Sequence, residues 1–216
     1  MVYGNTMAAV VVAVFCSVWR PGPVVFDAIT AALNEPAIDT VLVFGYEPTG
    51  RAIALPMPRT EYHVALDRWN SSGTTDVLCG TGKFCGVDSR QRMLWRSRLT
   101  IDMWACLRES RAKYPDATLV WLENDAILIP RAIDRAVAAA ARSGGAACWG
   151  FGRRYSGAGN LCFVFLPAVD PTQHLLSYHL VQPTDWILSD FSRRQWPIVK
   201  AVTHGTNGAH LSTRLA

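Results

Sequence analysis

Thr118-Leu119-Val120-Trp121-Leu122-Glu123-Asn124-Asp125 sets the reading of this chain. Its first five residues are apolar, β-branched or aromatic, with no turn residue among them, which is the composition of a strand buried on both faces. The run passes directly into Glu123-Asn124-Asp125, two acids one residue apart where the backbone leaves the sheet. In an open α/β sheet, ligands bind at the carboxyl ends of the strands. Desolvating an unpaired carboxylate is costly. Hard cations such as Mg²⁺ or Mn²⁺ take oxygen ligands, often from one or two carboxylates together with substrate phosphates. Glu123-x-Asp125 is therefore a candidate seat for a metal–diphosphate; the plainer reading is a turn that happens to be acidic.

Working outward, the elements alternate. Upstream, a helical period runs from about Ser89 to Lys113, with Leu99, Met103, Cys106 and Leu107 on one face and Arg92, Arg96 and Arg98 in its first half. Downstream, Pro130 opens a helix with Ile133, Ala136, Val137 and Ala140 inward, closed by Gly144-Gly145. At the start of the chain, Ala8 to Val18 reads as strand one. A helix follows from Pro23, with Val25, Ile29 and Leu33 at helical spacing and Asn34-Glu35-Pro36 as its stop. Asp39 to Phe44 is strand two. This βαβ opening implies a parallel pair.

The stretch Thr49 to Val87, rich in proline, glycine and polar residues, reads as irregular structure with a short third strand near Asp76-Val77-Leu78. A loop this long within a domain is usually functional or mobile. Late in the chain, Ala146 to Gly152 and Asn160 to Leu166 read as a hairpin with a wide loop, Arg153 to Gly159. A helix over Pro171 to Val181 comes next, then a short helix with Thr184 as N-cap. Pro197 to Val202 is the last strand.

The chain has 216 residues, 50% hydrophobic and 18% charged, which fits one compact domain and argues against disorder. A net charge of +4 with scattered arginines suits a phosphate-bearing ligand and is too small and diffuse for nucleic acid. Cys16, Cys106, Cys148 and Cys162 fall on apolar runs or faces and read as buried thiols. Cys79 and Cys85 would be bridged only in an oxidising compartment. No CxxC pair points to zinc. No segment is long enough to span a membrane, so the expected localisation is cytoplasmic, or the lumen of the secretory pathway if the chain is an excised domain.

The βαβ opening with Ser17-Val18-Trp19-Arg20, the arginine-rich helix leading into LVWLENDA, the glycine-rich hairpin with Pro183-Thr184-Asp185-Trp186, and the late His204-Gly205 together resemble a GT-A-fold glycosyltransferase. The nearest likeness is to the GPI-glycan N-acetylgalactosaminyltransferase and the N-acetylglucosaminyltransferase IV group, with Glu-Asn-Asp in place of an acidic triplet. The resemblance implies an α/β, GT-A-like (Rossmann-like), mostly parallel central sheet flanked by helices in a single domain. Residues 1–125 would form the nucleotide-binding half and 126–216 the acceptor-binding half. It also implies metal-dependent transfer, inverting at the sugar, of a hexose or N-acetylhexosamine from a UDP-sugar donor to a glycan or other hydroxyl acceptor.

Each part then has a chemical task. A Mn²⁺ or Mg²⁺ ion stabilises the departing diphosphate, with Asp125 a direct ligand, Glu123 a second ligand or ribose contact, and His204 completing the shell (His210 is the fallback). A lone histidine is more often structural. Asp185 is the candidate general base for the acceptor hydroxyl, unless it serves only the helix dipole; Asp170 and Asp190 are less well placed. Ser17 and Arg20 would reach ribose or phosphate. Tyr46 would stack on the base, Glu47 would accept from it, and Arg96 or Arg98 would bind the diphosphate or base. Trp149, Tyr155 and Trp186 would form a sugar platform, although strand tryptophans are more often core. The alternatives are a sugar-nucleotide pyrophosphorylase and a non-catalytic carbohydrate-binding protein. Against the first stands Trp19-Arg20-Pro21-Gly22-Pro23, where a glycine-rich phosphate loop would be expected; the second leaves the acidic turn unexplained.

Overall fold

The computed structural model describes residues 10–17, 23–45, 59–64, 89–123, 126–149, 160–178, 184–192 and 196–204. A seven-stranded sheet runs in the order β3-β2-β1-β4-β7-β6-β8. Its strands are β1 (Val11–Ser17), β2 (Thr40–Gly45), β3 (Thr60–Val64), β4 (Thr118–Leu122), β6 (Gly145–Trp149), β7 (Asn160–Phe165) and β8 (Ile198–Val199). Strands β3, β2, β1 and β4 are mutually parallel. Strand β7 runs antiparallel to both β4 and β6, and β8 is parallel to β6, so β7 is the one reversed strand of the seven. A separate ribbon pairs β5 (Ala126–Leu128) with β9 (Val202–His204).

Strand β4 is buried at all five positions, as expected of a run with no polar alternation. Its side chains divide between two cores. Val120 and Leu122 join Val11, Ala13, Val41, Val43 and Val164 on one face, covered by α1 (Pro23–Leu33) and α3 (Ala132–Ala140). Leu119 and Trp121 join Val12, Val14, Leu42, Phe44, Phe163 and Phe165 on the other. That face is covered by α2 (Arg90–Lys113), α4 (Thr172–Tyr178) and α5 (Thr184–Phe191). The result is a sheet between two helical layers, the arrangement that buries both faces of a parallel sheet.

Several expectations shift. The third strand is Thr60–Val64, inside the stretch read as irregular; a strand this short, preceded by Pro56 and Pro58 and carrying Glu61 and His63, has too little period to stand out. Asp76-Val77-Leu78 lies outside the described residues. The single last strand is two, β8 and β9, which join different sheets because the chain changes partner at Lys200-Ala201. The helix expected from Pro130 begins at Ala132, because Arg131 takes a left-handed conformation at φ 58°. Glu35 does more than stop α1. Buried there, its carboxylate accepts from the Arg131 amide at 2.5 Å and, at a longer 3.4 Å, from the Ile133 amide, so it caps α3. Of the closing glycines, Gly144 holds φ 84° after α3, whereas a Cβ on Gly145 would lie 2.5 Å from the Trp196 indole.

Candidate functional site

The sheet order places the site. From β1 the chain moves outward to β2 and β3, then returns to β4 on the other side of β1. The connections after β1 and before β4 lie on opposite faces, since α1 covers one core and α2 the other. Such a switch point leaves a crevice outside the carboxyl ends of the two strands. The β1–β4 register runs to Phe15↔Leu122 and the β1–β2 register to Ser17↔Gly45. Ser17 and Glu123 therefore emerge at one edge, and the chain leaves β2 toward Tyr46 and Glu47 at that same edge.

Glu123 is partly exposed there, and its carbonyl accepts from the Ala126 amide at 3.0 Å. Beyond the turn, the ribbon pairs Ala126 with His204 as direct Cα partners. Two segments far apart in sequence are thereby brought side by side, and the backbone of His204 is set against the residue that follows Asp125. Trp149 ends β6 at the same edge, since β6 runs parallel to β4 and its register ends at Trp149↔Asn160.

Helix α2 supplies the arginines. It runs back along the sheet to the start of β4, with Ser89 capping its N-terminus by accepting from the Arg92 amide at 3.3 Å. At about 1.5 Å per residue, roughly 20 Å of helix separate Lys113 from Thr100 and about 26 Å separate it from Arg96. The five residues of β4 span about 17 Å. Thr100 thus lies about level with the carboxyl edge, and Arg96 and Arg98 fall at or past it. The first turn of α2 contains no acid, while Arg90 and Arg92 sit at the positive end of its dipole. An anion bound there is favoured by both.

Asp185 is the second residue of α5. The helix is anchored by Thr184, whose hydroxyl lies 2.7 Å from that of Thr100. Thr184 was expected to cap its own helix; instead it is the first helical residue and its hydroxyl is engaged with α2. Trp186 follows and is half-buried. Asp170 belongs elsewhere. It accepts from the Thr172 amide at 2.9 Å after the end of β7, at the opposite edge of the sheet. There it faces Arg111, whose pKa is lowered by burial against the opposing pull of Asp170 and Asp116. Asp190 is exposed near the end of α5.

Arg20, Tyr46, Glu47, Asp125, Tyr155 and His210 lie outside the described residues, and Ser17, Arg98, Trp149, Asp185 and His204 are placed here by their backbone. Among the described residues, no group of three His, Cys, Asp or Glu side chains could hold a metal ion. Glu123 is the one carboxylate of the Glu123-Asn124-Asp125 stretch among the described residues. Cys106 and Cys162 are buried and form no disulfide; Cys79 and Cys85 are outside the described residues. None of the described helices is long and apolar enough to cross a membrane.

Helix layers, strand order and reversed β7 define the GT-A-like α/β fold, a mostly parallel sheet flanked by helices in one domain. Two of the solved structures similar to this chain are these. One is the crystal structure of 4-diphosphocytidyl-2C-methyl-D-erythritol synthase, with a TM-score of 0.54 and 8% identity over 89% of this chain and 90% of that one. The other, the same synthase from Anaerococcus prevotii, has a TM-score of 0.53 and 8% identity over 90% and 88%. No family model matches the chain, and no curated protein matches it. The resemblance to N-acetylhexosaminyltransferases is thus met at the level of fold and not of group.

Proposed function

We propose that this protein is a nucleotide-dependent transferase whose donor binds at the carboxyl edge of the sheet between β1 and β4. The observation that carries the reading is the switch point at which Ser17, Glu123 and, through the β5–β9 ribbon, His204 come together. The fold neighbours are named for making a diphosphocytidyl ester, which supports nucleotidyl transfer ahead of glycosyl transfer. In that reaction a phosphate oxygen of a phosphorylated sugar or polyol attacks the α-phosphorus of a nucleoside triphosphate. A P–O bond forms, and the bond to the departing pyrophosphate breaks. The acceptor phosphate is already ionised at neutral pH, so no residue need remove a proton. The chain's work is to hold two anions in line. Arg96, Arg98 and Arg20 bind phosphate oxygens through planar guanidinium groups. Ser17, Tyr46 and Glu47 bind the nucleoside. Glu123, Asp125 and His204 would hold a divalent cation, which neutralises phosphate charge when bound. Asp185 accepts hydrogen bonds from acceptor hydroxyls beside Trp149, Tyr155 and Trp186.

Glycosyl transfer from a UDP-sugar is the second reading, and one observation favours it. The β1–α1 connection is confined to residues 18–22; Pro21 removes a backbone donor from it, and Pro23 removes another at the first position of α1. A triphosphate is usually cradled by a run of backbone amides. In this reading Asp185 takes the proton of the acceptor hydroxyl and the sugar centre inverts.

The products separate the two. The protein is supplied with CTP or UTP, Mg²⁺ and a panel of sugar and polyol phosphates, and in parallel with UDP-sugars, Mn²⁺ and glycans. Pyrophosphate release supports the first reading, and UDP release the second. Asp185→Asn should cost about 10²–10⁴-fold in rate if the residue is a general base, but should chiefly raise the acceptor KM if the nucleophile is a phosphate. Absence of both products, with no nucleotide-induced rise in Tm, overturns the proposal.

A further inference from the structure

Two threonine hydroxyls meet where α2 packs against α5. Thr100 is fully buried and Thr184 is 8% exposed, and their Oγ1 atoms are 2.7 Å apart. Thr100 also donates to the Arg96 carbonyl at 3.1 Å. A threonine has one proton to give. With the proton of Thr100 on Arg96, Thr184 must be the donor to Thr100. The bonds therefore run in one direction, from Thr184 through Thr100 to the backbone of Arg96. A neutral hydrogen bond of this kind adds little net stability over a matched apolar pair. What it adds is a fixed separation and direction, which packing alone leaves free. Its two ends matter: Arg96 stands in the arginine half of α2, and Thr184 immediately precedes Asp185.

We propose that Thr100 and Thr184 are positioning residues that set the start of α5, and with it Asp185, at a fixed distance from the phosphate-binding half of α2. This rests on the placement of the acceptor beside Asp185 and the donor beside Arg96.

The test uses Thr184→Val, Thr184→Ser, and the double variant Thr100→Val/Thr184→Val, in which no hydroxyl is left stranded. Thr184→Val and the double variant should bind CTP or UTP with wild-type affinity. Their turnover at saturating nucleotide should fall roughly 10- to 10²-fold, the scale of a 1 Å misplacement, whereas Thr184→Ser stays within about twofold of wild type. Thr184→Val should add nothing further in an Asp185→Asn background, since the hydroxyl acts through that residue. Wild-type turnover in the double variant overturns the proposal, as does a Thr184→Val loss that multiplies with that of Asp185→Asn. Hydrogen exchange is measured on the same proteins. Faster exchange confined to the first turn of α5 is expected in Thr184→Val, and unchanged exchange there overturns the positioning role whatever the activity. If exchange changes as expected but the wild type transfers neither group, it is the proposed function that fails, and not the hydroxyl link.

Discussion

Glu35 shows how far a single side chain can act. It lies 96 residues from Arg131, whose left-handed backbone and long side chain leave α3 without a cap of its own. A buried carboxylate from the α1–β2 connection fills the role and also meets the positive end of the helix dipole. Replacing it with alanine strands amides inside the protein, so Glu35→Ala should lose ~1–3 kcal/mol of stability. Glu35→Gln, which keeps an acceptor but no charge, should lose less. Urea unfolding of the two variants checks the order; equal losses would mean that packing, not the cap, is what the residue provides. Nothing in Asn34-Glu35-Pro36 announces this role, because a helix stop and a cap for a distant helix look alike in sequence.

At the scale of elements, α2 has two ends with opposite business. Its last turn carries Arg111 and Lys113, which suit the negative end of the dipole. There Glu61 on β3 pairs with Lys113 and accepts from the Tyr114 hydroxyl at 2.6 Å. The hydrogen bond to Glu61 is the chief reason that both Lys113 and Tyr114 have raised pKa values, from ordinary values of 10.5 and 10.0. Groups raised in the folded state hold protons that the unfolded chain has released. Their contribution is complete below roughly pH 10 and is lost as the pH climbs through the folded values. Unfolding free energy should therefore fall as the pH rises above about 10, and Glu61→Gln should flatten that fall; an unchanged slope would show that other groups govern alkaline stability. At the opposite end, Arg90 and Arg92 oppose the dipole with no acid in the first turn. A phosphate bound at that end would be favoured by the dipole. Arg98→Lys should accordingly weaken UDP more than uridine, since lysine lacks the planar fork. Calorimetry with both ligands decides this, and equal losses would assign Arg98 to the base or to the scaffold.

For the whole molecule, the switch point predicts that nucleotide and cation act on global stability together. A ligand that binds only the folded state adds about 2.7 kcal/mol at a hundred times its Kd. Nucleotide with Mn²⁺ should raise the Tm, and Asp125→Ala should remove the cation-dependent part of the rise while leaving the unliganded Tm nearly unchanged. A variant whose Tm still responds to Mn²⁺ in the presence of nucleotide would move the cation away from the acidic turn. Deleting the chain from Val202 onward should also remove the cation-dependent rise, but with a lower unliganded Tm, because it takes away both the strand that holds His204 against Ala126 and the fully buried Val202.

Much of this architecture is local in origin and therefore legible. Five consecutive buried residues made β4 recognisable, a 3.6-residue period with Ser89 at its head marked α2, and Gly144 marked the end of α3. The alternation of these elements was enough for a parallel sheet between helical layers. Other features depend on partners that no window of sequence contains. Strand β3 is too short and polar to declare itself and exists because β2 offers an edge. The end of the chain divides into β8 and β9 because two different strands await it. Thr184 reads as a cap until Thr100, 84 residues away, takes its hydroxyl. Sequence by itself determined the apolar periods and the acidic turn, since burial and turn chemistry are written residue by residue. Only the tertiary structure decided which edge the turn shares with Ser17 and His204, because strand order and register are set by contacts between distant segments, whose free energies appear only when the chain has closed on itself.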